Sequence, residues 1–425
     1  MMKRILSPRR IMRLLACLLM AALLTTCLSG CTTSAKGADL MKDISPNPPS
    51  EMPAERLAAQ APAATDFGVR LLKAFHTGEK NTLISPLSVL SALAMTANGA
   101  KGYTLSQMQQ VLGSECSELN AWIYAYRRQL AQSDDAVLHL ANGIWFTEDE
   151  HFTVNEAILQ TNADFFGAEL RQAPFNDATC REINRWVKEQ TNGMVTDIVD
   201  QIPEDAVMYL VNALAFEAQW RKPYQKDAVR EAVFTGDSGE TKNLDFMYGS
   251  EGLYLEDEQA TGFIKPYMSR KYAFAALLPR EGIRLEDYVA GLDGHALHAL
   301  LSSPQRAEVH TAIPKFDASY DAEMSELLAG LGMSDAFDDK KADFSDLGSS
   351  SRGNIYIGRV LHKTFLSMGE KGTKAGAATV VAMEDAASME ITDQPKQVYL
   401  DRPFVYMLID LETALPLFIG TMLLP

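Results

Sequence analysis

The chain has 425 residues, 47% of them hydrophobic and 22% charged, the balance of a globular protein with length for more than one domain. A formal charge of −16 at pH 7 argues against nucleic acid as a partner. The five cysteines have no regular spacing, which excludes a disulfide framework, and neither a glycine-rich phosphate loop nor a complete metal-ligand set is legible, so no cofactor is expected.

Lys3, Arg4, Arg9, Arg10 and Arg13 form a positive leader without an acid, and Leu14–Leu24 follows as a wholly apolar run. That run falls short of the roughly 20 residues a spanning helix needs, so residues 1–30 read as a secretory signal peptide. Leu28-Ser29-Gly30-Cys31 looks like a bacterial lipobox, with cleavage before Cys31 and lipid on its sulfur. Loss of the leader takes the net charge to about −21. Residues 31–60, with Pro46, Pro48, Pro49 and Pro53, carry no apolar period and read as a flexible tether, leaving 61–425 as the folded domain. The expected location is the outer face of a bacterial membrane, held by acyl chains on Cys31, with a secreted form as the alternative. Cys116 and Cys180 read as small hydrophobes rather than a bridge.

Within the domain the first predicted elements are helices, at Asp66–Phe75 and at Ser88–Asn98, the latter with Pro86 near its start and Gly99 past its end. A third covers Glu182–Gln190, closed by Asn192-Gly193, and a fourth Asp321–Leu331, stopped by Gly332. Predicted strands are Val137–Ala141, Ala206–Phe216, Phe274–Leu278, Glu308–Phe316, Tyr356–Met368, Phe404–Leu411 and Leu417–Leu423. Helices first, with strands interleaved irregularly, give an α+β class rather than a βαβ repeat.

Three constellations invite chemistry. Gly236-Asp237-Ser238-Gly239 copies a serine-protease nucleophile motif, but no matching histidine segment precedes it, and it reads as a turn between strands. His295 and His298 stand i, i+3 on a predicted helix without a third ligand nearby, the pattern of a solvated face rather than a metal site. Ser85 and His362 could be a nucleophile and base, but His362 and Asn212 sit on apolar strands, where a buried polar group must find a partner.

The most informative stretch is Glu370 to Thr379. From Thr373 onward one alternate set is Thr373, Ala375, Ala377, Thr379, Val381 and Met383, small or apolar throughout; the other set, Lys374, Gly376, Ala378, Val380 and Ala382, holds the one charge. As a strand, the first set could be buried while Lys374 met water. A loop that is also legal as a central strand is a candidate for strand insertion.

With Glu370, Gly372 and Thr373 at its head, this pattern resembles the reactive-centre-loop hinge of inhibitory serpins. Asn81-Thr-Leu-Ile-Ser-Pro-Leu-Ser88, Val211-Asn212-Ala-Leu-Ala-Phe216 with Trp220, and Val398-Tyr-Leu-Asp-Arg-Pro-Phe404 resemble other segments of that family, in family order, from about residue 62 to the end. The resemblance implies three β-sheets, eight or nine helices and an exposed reactive-centre loop. It makes Ser85, Ser88, Asn212 and His362 the shutter, a network beneath the middle of the main sheet. It makes Trp220, Lys315 and Glu370 the breach, where the loop enters that sheet. Counting along from Glu370, it puts the scissile bond at Ala386-Ala387, with Ala387-Ser388 and Met389-Glu390 as alternatives in a loop that runs long before the next strand. A small residue there suits elastase-like serine proteases. Lys374 and Gly376 depart from the family pattern, both on the face that would meet solvent. The implied function is suicide inhibition by a monomer that forms a covalent acyl-enzyme and is not itself an enzyme. The rivals are a non-inhibitory serpin acting as a binding protein or chaperone, and a lipid-anchored hydrolase using Ser85 and His362.

Overall fold

A computed structural model describes residues 37–130, 136–148, 152–202, 206–351, 353–373 and 394–425. Among them are a seven-stranded sheet, a nine-stranded sheet and a two-stranded one, with nine helices of six residues or more. The expected α+β class and sheet count are thus observed.

The seven-stranded sheet positions the site. Its strands in chain order are β1 (Ala38–Asp39), β2 (Ala136–Thr147), β3 (Glu169–Ala173), β4 (Met208–Gln219), β5 (Phe316–Glu323), β6 (Arg359–Gly369) and β7 (Gly372–Thr373). Across the sheet they lie β1-β3-β2-β4-β7-β6-β5, and β4 also pairs directly with β6. β4 is apolar along most of its length because both its faces are covered. Leu210, Leu214 and Phe216 join the main core, while Tyr209, Val211 and Ala213 pack with Ile183, Trp186 and Val187 of the Asp177–Gln190 helix.

Behind the inner face lies the Pro86–Ala97 helix, every residue of which is buried. Its start follows from the sequence: Pro86 occupies the first turn, and the Ser85 side chain accepts from the Ser88 N–H as N-cap. The nine-stranded sheet backs the same core, and its Phe404–Asp410 and Pro416–Met422 strands are buried throughout.

Four sequence expectations need correction. The Asp321–Leu331 helix is instead the end of β5 followed by a helix at Ser325–Leu328, because Phe316, Ala318 and Tyr320 alternate with exposed Asp317, Ser319 and Asp321. Glu308–Phe316 is two strands, Gln305–Pro314 in the nine-stranded sheet and β5 in the other, divided at Lys315. Tyr356–Met368 becomes a strand at Arg359, once Gly358 has given its N–H to the Met208 carbonyl. The stretch read as tether packs on the domain from Gly37 onward. β1 pairs with β3, the Gly37 N–H meets Glu182 Oε2 at 2.8 Å, and Leu57 is buried with its carbonyl accepting from Trp122 Nε1. Among the described residues no helix is long and apolar enough to cross a membrane.

Candidate functional site: the seam between β4 and β6

Two strands far apart in sequence meet in parallel at the middle of the sheet, from Arg359 opposite Tyr209 to Phe365 opposite Ala215. Their register sets His362 against Asn212, and the antiparallel register of β2 with β4 sets Asn142 against Asn212. Three polar residues therefore form a row across three adjacent strands, facing the buried Pro86–Ala97 helix.

Asn212 uses both its donors and both its acceptor positions. Its Nδ2 donates to the Ser88 carbonyl at 2.9 Å and to Asn142 Oδ1. Its Oδ1 accepts from the Ser88 hydroxyl and from His362 Nδ1 at 2.8 Å. On the far side of the ring, His362 Nε2 lies 3.2 Å from the Ser85 backbone N–H, which donates to it. These partners select the neutral ring with its proton on Nδ1. Ser85, Ser88, Asn212 and His362 are all fully buried. The ring thus meets Ser85 through the backbone N–H, while the Ser85 hydroxyl caps the helix. That geometry makes no nucleophile–base pair of Ser85 and His362, the pair the hydrolase reading needed. Asn142 went unnoticed in the sequence; a polar residue on the apolar strand between Leu140 and Ile144 was the available signal.

Burial lowers the His362 pKa to about 3, from an ordinary value near 6.5. The folded state disfavours the proton, so the unfolded chain binds it first as pH falls. This contribution to stability is complete above about pH 6.5 and shrinks toward pH 3, by about 2 kcal/mol at pH 5. Unfolding midpoints measured from pH 7.5 to 5 should drop accordingly, and His362→Gln should flatten the slope. An equal slope in that variant would assign the acid sensitivity to other groups.

Above the seam the two strands part, and β7 fills the gap. Gly372 and Thr373 face Gln219 and Ala218 of β4 on one side and Gly369 and Met368 of β6 on the other. Thr373 is completely buried, its Oγ1 2.5 Å from the Tyr267 hydroxyl. The hinge, expected to enter the sheet only after cleavage, therefore begins inside it with Gly372 and Thr373. Gly372 has φ 149°, and a Cβ there would lie 2.0 Å from the Ala218 carbonyl oxygen, so the position accepts glycine alone.

The turn that feeds β7 is held from below. Trp220 donates its backbone N–H to the Lys371 carbonyl and Nε1 to the Gly369 carbonyl, each at 2.9 Å, and Tyr224 donates its N–H to the Glu370 carbonyl at 2.9 Å. The Trp220 ring stacks on Tyr267 with centroids 4.4 Å apart. Lys315 reaches Glu370 at 2.8 Å and, a second partner not foreseen, Asp245 at 3.0 Å. The Lys315 hydrogen bond pulls the Glu370 carboxyl below its usual range. The pair is half exposed, which limits it to under about 1 kcal/mol.

Hinge positions Lys374, Ala375, Gly376, Ala377, Ala378 and Thr379, the bond Ala386-Ala387 and the lipidation candidate Cys31 lie outside the described residues. Gly236-Asp237-Ser238-Gly239 is a turn between Val229–Thr235 and Thr241–Glu256, with the Gly236 N–H bonded to the Glu240 carbonyl at 2.8 Å. His298 is tied by Nε2 to the Thr413 carbonyl at 2.9 Å, and His295 is exposed on the same helix. Cys116 and Cys180 are free thiols, the second buried.

The family model described as Serpin (serine protease inhibitor) matches residues 62–425. An uncharacterized serpin-like protein of Thermococcus kodakarensis is 31% identical over 373 residues, spanning 85% of each chain. The leukocyte elastase inhibitor of Bos taurus is 30% identical over 393 residues, 87% of this chain and all of its own length. Among solved structures, the thermophilic serpin Tengpin in its native state is 42% identical, with TM-score 0.85 over 92% of this chain and 100% of its own. The latent state of Tengpin gives TM-score 0.75 at 39% identity, over 89% of this chain and 99% of that one.

Proposed function

Since the chain belongs to the serpin family, we propose that it inhibits a serine protease of elastase-like specificity as a suicide substrate, cleaved near Ala386-Ala387. The protease's serine Oγ attacks the Ala386 carbonyl carbon, the bond to the Ala387 nitrogen breaks, that amine takes up the proton, and an ester joins the two proteins. Release of the loop end lets the strand that starts at Thr373 extend through Met383 between β4 and β6. About 11 residues at about 3.3 Å each carry the acyl-enzyme some 36 Å before water can reach the ester. This chain supplies bait and sheet; the catalytic residues belong to the protease.

One observation carries the reading: β7 already occupies the entry to the seam with Thr373 buried. Were the strand to continue on insertion, alternation would direct Ala375, Ala377, Thr379, Val381 and Met383 inward and Lys374 outward, the parity an insertable loop needs. Relatives named leukocyte elastase inhibitors support the choice of protease class, as does the small residue at the expected cut. Lys374 and Gly376, on the solvent parity, leave insertion open. We assign Cys31 as a lipid anchor that holds a monomer at the outer face of a bacterial membrane, on the strength of the leader and lipobox.

The test is to mix the protein with a neutrophil-type elastase and resolve the products on a denaturing gel with mass spectrometry. The expected result is a detergent-stable complex and a released fragment beginning at Ala387. Cleavage without a complex, and without a gain in thermal stability, would replace inhibition with a binding or chaperone role.

A further inference from the structure

Beneath the aromatic residues that carry the hinge lies a buried ion pair that the mechanism above does not use. Lys265, on the strand Ala260–Pro266, is 2% exposed, and Glu251, on the neighbouring strand Thr241–Glu256, is 8% exposed. Lys265 Nζ lies 2.7 Å from Glu251 Oε1 and 3.2 Å from the Lys222 carbonyl. It also stands 4.4 Å from the Tyr224 ring centroid and 5.2 Å from that of Trp220. Burying a lysine costs heavily unless its charge is matched, and here a carboxylate, a carbonyl and two ring faces share it.

Those two rings belong to the residues whose backbone N–H groups hold Glu370 and Lys371, and Trp220 is stacked in turn on Tyr267, the partner of Thr373. A desolvated ammonium between Trp220 and Tyr224 fixes both rings, and through them the turn from which β7 starts. We propose that Lys265, neutralised by Glu251, is a positioning residue that restrains the hinge and so sets how fast a strand enters the seam. The inference deepens the insertion reading and rests on it.

Uptake of a synthetic peptide with the sequence of Thr373–Ala386 by the uncleaved full chain, followed on native gels, reads strand entry without any protease. Lys265→Met combined with Glu251→Gln removes the cation without leaving its partner charged. It should take up peptide about tenfold faster, on the scale of a desolvated cation–π contact shared by two rings. Lys265→Arg, which keeps the charge, should stay near the wild-type rate. Tyr224→Leu leaves the ion pair whole and removes the nearer ring, so it answers the question if the double variant does not fold; it too should accelerate uptake. A structural role alone lowers the unfolding midpoint and leaves uptake at the wild-type rate, and that outcome overturns the proposal. Failure of the wild-type chain to take up peptide overturns strand insertion itself, and the restraint with it.

Discussion

On the proposed mechanism, Thr373→Arg should convert the chain from an inhibitor into a substrate of its target protease. Thr373 has no exposed surface, and its hydroxyl meets Tyr267 between β4 and β6. A guanidinium in that place is an unpaired buried charge, at a cost of several kcal/mol. The hinge avoids the cost by staying out of the sheet, and insertion must then carry the charge through the entry. Every 1.4 kcal/mol on that barrier is a factor of ten in rate, so insertion slows by about 100-fold or more. Hydrolysis of the acyl-enzyme does not depend on residue 373 and wins the race. On a denaturing gel with the elastase used above, the complex band should give way to cleaved protein while the rate of loop cleavage stays unchanged. A variant that still forms complex at the wild-type stoichiometry would show that the place of residue 373 between β4 and β6 does not gate insertion.

Asn212→Ala should be the most destabilising single change in the seam. It strands the Ser88 hydroxyl, the His362 Nδ1–H, Asn142 Oδ1 and one bond to the Ser88 carbonyl, all in a region closed to water. Buried groups left without partners cost about 1–3 kcal/mol each, and partial collapse recovers some, so a loss of about 4 kcal/mol is expected. The damage falls where β4 and β6 are joined by side-chain hydrogen bonds as well as backbone. The first unfolding transition in denaturant should therefore move down, and any complex-forming activity of the proposed kind should decay faster on storage. An unshifted transition would mean that the backbone pairing alone holds the seam. Asn212→Asp is an informative companion, since it keeps the acceptor toward His362 and the Ser88 hydroxyl and removes the two donors, one toward Asn142 Oδ1 and one toward the Ser88 carbonyl.

The helix from Pro86 was legible, as Ser88–Asn98, because its signals are local: Pro86 near the start, Gly99 past the end and a run of mostly apolar residues between them. The turn at Gly236–Gly239 was legible for the same reason. Strand boundaries around Lys315 were not. Pro314-Lys315 resembles a strand end, but Phe316 continues the apolar alternation, and nothing within ten residues says that the chain changes sheets between them. The reading of residues 37–60 as a tether failed similarly. Composition reports the lack of an internal apolar period, but β1 is held by backbone pairing to β3, for which side-chain periodicity carries no signal.

By itself the sequence determined the insertable parity of Thr373–Met383, the glycine at 372 and the polar residues Asn212 and His362 on strands otherwise apolar. It could do so because alternation, φ tolerance and polarity are properties of short stretches of chain. Tertiary structure decided the rest: that Gly372–Thr373 already sits between β4 and β6, that Asn142 completes the row, and that Lys265 lies under Trp220 and Tyr224. These are meetings of residues tens to more than a hundred positions apart, fixed by strand register and by the desolvation that forces each buried polar group to find its partner.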